Sequence, residues 1–98
     1  MHIDLNLAQY ATALQYDELP DGKAYFYDPI RKKHVRALPE EMVRQLCLYY
    51  MINICDYPIK FIQVERSLNI EGVKRRYDII VFDKNTNPFL LVECSYAL

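Results

Sequence analysis

The stretch from Arg76 to Ser95, RYDIIVFDKNTNPFLLVECS, leaves the chain little choice of local structure. Two apolar runs of strong strand propensity, Tyr77 to Phe82 and Phe89 to Val92, flank the polar segment Asp83 to Pro88, which is rich in turn formers. The pattern predicts a β-hairpin. With the turn centred between Asn85 and Thr86, Phe82 lies opposite Phe89, Ile80 opposite Leu91, and Asp78 opposite Glu93. Directly opposed side chains in an antiparallel pair have β-carbons roughly 4.5 to 5.5 Å apart, so two carboxylates placed this way repel each other. Apolar neighbours on the same face add a desolvation cost. A divalent cation with oxygen ligands turns that liability into a site. A slip of one residue in register puts the two acids on opposite faces instead, as ordinary solvated rim residues.

Residues 1–98 read as a single small domain, one that buries roughly 60 to 65% of its unfolded surface around one core. A hydrophobic content of 52% with 26% charged residues is globular rather than disordered. The formal net charge of −1 excludes a generally basic coat, so nucleic-acid contact has to come from local clusters. Cys47, Cys55 and Cys94 fit no zinc spacing and cannot all pair. On one helix Cys47 and Cys55 stand about 12 Å apart along its axis, too far for a disulfide. Buried free thiols in a reducing compartment are expected. No basic segment precedes a long apolar run at the amino terminus, and the longest apolar block, Leu46 to Ile52, is too short to span a bilayer. A soluble, cytoplasmic chain without membrane contact is the expectation.

Along the chain, Ile3, Leu5 and Leu7 alternate with polar residues as in a short edge strand. Gln15 to Gly22, with Pro20, Asp21 and Gly22, reads as a loop. Ala24 to Tyr27 and His34 to Arg36 form the arms of a small hairpin. The basic run Arg31, Lys32, Lys33 lies between those arms, as a phosphate-contacting patch or a solvated turn. A helix starts at Pro39, with Glu40 and Glu41 in its first turn, and runs to about Cys55. Leu38 is a poor cap for it. Apolar residues cover more than one side of this helix, so it is buried on several sides, and Glu41, Arg44 and Gln45 are expected to be solvated. Phe61 to Ile70 follows as a strand whose apolar face is interrupted by Arg66. Glu71 and Gly72 then turn the chain into a second basic cluster, Lys74, Arg75 and Arg76. At the lip of an Asp78 site, that cluster either holds a phosphate or offsets the carboxylate.

Taken in order, the blocks YDPIRKKHVRALPEEMVRQ, NICDYP, KRRYDIIVFD and PFLLVECS resemble the amino-terminal nuclease domain of type I restriction enzyme R subunits, in a small stand-alone bacterial form. The resemblance covers about Ala24 to Glu93. That family belongs to the PD-(D/E)XK superfamily. The resemblance therefore implies an α/β fold, more closely an α+β mixed sheet in the order α-β-β-β-α-β. This restriction-endonuclease-like core would be cut short here after its third strand. By the same resemblance, Asp78 and Glu93 are catalytic and metal-binding acids. The backbone carbonyl of Cys94 is a further ligand, and Glu41, or else Glu40, is the supporting helix acid. The implied cofactor is Mg²⁺ or Mn²⁺, which binds a phosphate oxygen and the attacking water in DNA phosphodiester hydrolysis. The family's lysine, two residues after Glu93, is Ser95 in this chain. A hydroxyl cannot supply its positive charge, so impaired hydrolysis is expected. Arg31, Lys32, Lys33, Lys74, Arg75 and Arg76 are the expected DNA contacts. An open sheet edge or an exposed core face should drive homo-oligomerisation. A non-catalytic module of the same fold, binding DNA or a protein partner, is the competing reading.

Overall fold

In the computed structural model, residues 7–94 are described. The edge strand expected from Ile3 therefore lies outside the described residues except for Leu7, which opens a 3-10 helix, Leu7–Ala13. The first sheet has three antiparallel strands in the order β1 (Tyr16–Glu18), β2 (Ala24–Asp28), β3 (Lys33–Arg36). The β2–β3 hairpin is the one expected, with Phe26 opposite Val35. Strand β1 corrects the reading of Gln15 to Gly22 as loop throughout. Tyr16 to Glu18 are exposed and carry no apolar alternation, and they pair because β2 offers a free edge. The turn chemistry after them is as read: Gly22 adopts φ +78° and donates its N–H to the Leu19 carbonyl at 2.8 Å.

Helix α1 (Pro39–Tyr49) continues as a π-helical turn, Tyr50–Ile54, so the helical segment ends where expected. Pro39 occupies the first turn, and Leu38 sits in the cap position with no side-chain cap bond. Arg44 and Gln45 are buried, 8% and 4% exposed, which corrects the expectation of solvated side chains. Partners from distant strands make that burial possible.

The second sheet runs β4 (Ile62–Ile70), β5 (Val73–Phe82), β6 (Pro88–Val92), again antiparallel. Every strand pair among the described residues is antiparallel. The architecture is therefore α+β, with two antiparallel sheets in place of the single mixed sheet. In the β5–β6 hairpin, Ile80 faces Leu91 and Ile79 faces Val92 as predicted, whereas Phe82 faces Pro88 instead of Phe89. Asp83 causes the shift. Its carboxylate accepts the N–H groups of Asn85 and Asn87 at 2.9 and 3.0 Å, which tightens the turn and leaves an irregularity beside Val81 and Phe82.

Leu48 and Met51 from the helical segment pack on Ile62, Ile79 and Val81 of the sheet to form the core. Each such side chain stabilises the fold by about 1.5 to 3 kcal/mol through burial. Beyond the reach of β6, β4 and β5 continue as a two-stranded ribbon from Arg66–Tyr77 to Ile70–Val73. Most of its side chains are exposed. The turn at its end uses Glu71 (φ +50°) and Gly72 (φ +78°). With this ribbon the molecule extends 45 Å along its longest axis and 28 × 27 Å across. No helix among the described residues is long and apolar enough to cross a membrane.

Candidate functional site

The polar side chains of the fold converge where α1 crosses the middle of β4 and β5. Strand β4 is distorted there. Glu65 has φ +55°, in the left-handed region, and the ladder skips its pairing with Asp78 between Val64–Ile79 and Arg66–Tyr77. A non-glycine residue held this way costs about 1 to 3 kcal/mol and persists only where its surroundings fix it. Three guanidiniums do so: Glu65 meets Arg76 at 3.2 Å, Arg44 at 3.3 Å and Arg31 at 3.7 Å.

Arg44 is the centre of this cluster. Its Nη1 reaches Glu41 Oε1 at 2.5 Å and its Nη2 reaches Asp78 Oδ1 at 3.2 Å, while its buried Nε has no partner among the described residues. Glu41 is shared, since its other oxygen accepts from Arg31 Nη2 at 2.8 Å. Arg31 in turn donates Nε–H to the fully buried Asp28 at 2.8 Å. Asp28 also accepts the N–H groups of Ile30 and Arg31, both at 2.8 Å, and the Gln45 amide at 2.9 Å. Burial alone would raise the Asp28 carboxyl. The Arg31 backbone N–H, the Arg31 side chain and the Ile30 N–H outweigh it and hold the group below the usual 3.8.

The residues expected to hold a metal separate into two places. Asp78 faces Arg44 and accepts the Cys94 backbone N–H at 2.6 Å, so Cys94 does come to Asp78, through its N–H. Glu93 turns to Arg75 instead, with contacts of 2.7 and 3.0 Å, on the exposed side of the hairpin. Glu41 joins the Asp78 cluster, and Glu40 is exposed. Among the described residues no group of three or more His, Cys, Asp or Glu side chains is arranged to hold a metal ion. As arranged, these carboxylates are satisfied by arginines and do not fit a divalent cation.

Of the basic residues, Arg31 is drawn inward, 15% exposed at its side chain. Lys32 lines a cleft of about 420 Å³ together with Lys60 and Gln63. Lys33, Lys74, Arg75 and Arg76 are exposed, the last three on the ribbon. The two basic clusters, far apart in sequence, meet at Glu65 through Arg31 and Arg76. Glu65 and Arg44 are the residues that sequence reasoning missed. The break in alternation at Arg66 is the one trace of the distorted strand.

On the other side of Asp78, the Cys94 S–H donates toward Cys47 Sγ across 3.9 Å. That contact holds the Cys47 thiol below its usual value. It also pushes Cys94 well above it, and burial acts upward on both.

Residues 39–97 match the family described as type I restriction enzyme R protein N terminus (HSDR_N). The chain belongs to this family. Within this R-protein N-terminal domain, the match takes in everything from α1 through β6, including Glu41, Arg44, Glu65, Asp78 and Glu93. The first sheet, with Asp28 and the run Arg31 to Lys33, lies ahead of it. No curated protein and no solved structure is significantly similar to the chain.

Proposed function

We propose that this chain is a nuclease-derived, DNA-contacting domain in which phosphodiester hydrolysis is impaired. The observation that carries the reading is the Arg44 guanidinium seated among Glu41, Glu65 and Asp78, a cation already in place where the family's resemblance calls for a metal. Ser95 in place of the lysine works in the same direction. The chain order α1-β4-β5-β6 supports a restriction-endonuclease-like core, and the family's nuclease ancestry supports DNA as the partner. DNA phosphates are contacted by Lys32 and Lys33 from one side and by Lys74, Arg75 and Arg76 from the other, in the cytoplasm. Self-association uses β6, a sheet edge on which Phe89 and Leu91 are exposed.

Duplex binding followed by fluorescence anisotropy across a salt series tests this, with melting and nicking measured in parallel with and without Mn²⁺. Affinity should fall steeply with salt, and Lys74→Ala should lower the log–log slope by about 1. Mn²⁺ should leave the Tm of the parent unchanged and produce no nicks. A Mn²⁺-dependent rise in Tm that disappears in Asp78→Ala, accompanied by nicking, would establish a working nuclease instead. Salt-insensitive or undetectable duplex binding would remove DNA from the reading.

A further inference from the structure

Cys47 and Cys94 are the only described cysteines whose sulfurs face each other, and they join the two elements that frame Asp78. Cys47 lies on α1, one turn beyond Arg44. Cys94 lies two residues beyond the end of β6, and its N–H is bound to Asp78. Their Sγ atoms are 3.9 Å apart. Closing to a disulfide of about 2.05 Å needs a relative shift of about 2 Å between the sulfurs. Cys47 is also accessible. A cavity of about 250 Å³ is lined by Cys47, Tyr50, Met51, Tyr57 and Val92, with Cys55 on its wall. Cys47 and Cys94 are both partly exposed.

We propose that Cys47 and Cys94 form a reversible oxidation site that reacts with low-molecular-weight disulfides and, when closed, locks the end of β6 onto α1. The Cys47 thiolate attacks one sulfur of the small disulfide, breaking its S–S bond and expelling one thiolate, which takes up a proton. Cys94 then loses its proton and attacks Cys47 Sγ in the mixed disulfide, forming the protein S–S bond and releasing the second small thiol. Two protein thiols are oxidised and one small disulfide is reduced to two thiols, so electrons and protons balance. In the reduced state Glu93 is held by Arg75 and Cys94 by its N–H bond to Asp78. The disulfide adds a covalent tie from the other side and fixes Glu93 and Cys94 against the helix that carries Glu41 and Arg44. The site does not depend on whether the domain binds or cuts DNA.

The test is to incubate the reduced chain with glutathione disulfide and to map its peptides by mass spectrometry under non-reducing conditions. A Cys47–Cys94 cross-link should form, with a mass lower by two hydrogen atoms and Cys55 left as a free thiol or a simple adduct. Because the bond closes a long loop, the Tm should rise by about 10 °C or more and return on reduction with dithiothreitol. Cys55→Ser should behave as the parent, and Cys94→Ser should stop at a glutathione adduct on Cys47. Glutathione adducts on the parent without the cross-link, or a cross-link that includes Cys55, would overturn the proposal. The parent's peptide map decides the matter even where a variant folds poorly.

Discussion

Asp28 shows how a single carboxylate can organise a polar interior. It is fully buried and accepts two backbone N–H groups, one guanidinium and one amide. Arg31 is thereby oriented toward Glu41 and Glu65, and Gln45 of α1 is anchored to the first sheet. Asp28→Asn keeps the shape but turns an acceptor into a donor that faces Arg31 and Gln45, and should cost about 3 kcal/mol in urea denaturation at neutral pH. The pH dependence follows from the lowered pKa. Between the folded value and the usual 3.8, the unfolded chain binds the proton more readily, so stability rises with pH through that window. The contribution is full above the unfolded value and is lost as pH falls through the folded one. The gap between parent and Asp28→Asn should therefore stay constant from neutral pH down to about 5 and narrow only below about 4.

At the scale of elements, α1 is held by what it packs against more than by its own ends. Leu38 in the cap position is half exposed and makes no side-chain cap bond, which leaves a first-turn N–H group without that partner. Leu38→Ser should raise stability by about 1 kcal/mol in the same denaturation assay. Serine suits better than aspartate because Glu40 and Glu41 already crowd that turn with charge. How well the elements could be read from sequence depended on whether their cause was local. The β5–β6 hairpin, the β2–β3 hairpin and the extent of the helical segment follow from propensity, turn residues and proline, all within a few residues of the structure they set. Strand β1 exists only because a neighbour offers an edge, and nothing in Tyr-Asp-Glu announces it. The family blocks named Asp78 and Glu41 as acids of a metal site, and in the structure both bind the Arg44 guanidinium. They did not point to Arg44 or Glu65. A buried guanidinium depends on partners as distant as Asp78, and a left-handed glutamate in mid-strand depends on three arginines from three segments.

Taken whole, the molecule has one half that is densely packed and another that is thinly supported. Ile79, Ile80 and Val81 sit in the middle of a three-stranded sheet and are almost wholly shielded from water. A few residues earlier, Lys74 to Arg76 belong to a ribbon that has no third strand among the described residues, and their side chains are exposed. In hydrogen exchange, amides of Ser67 to Arg76 should exchange at least about a hundredfold faster than those of Ile79 to Val81. Added duplex should slow the ribbon selectively, and exchange at equal rates in both stretches would contradict this division. The domain thus carries Arg66, Lys74, Arg75 and Arg76 on the thinly supported part of the sheet. An encounter with a polyanion would then begin at an exposed finger of cations, and a firmer grip would reach back to Lys32, beside Gln63 and Val64.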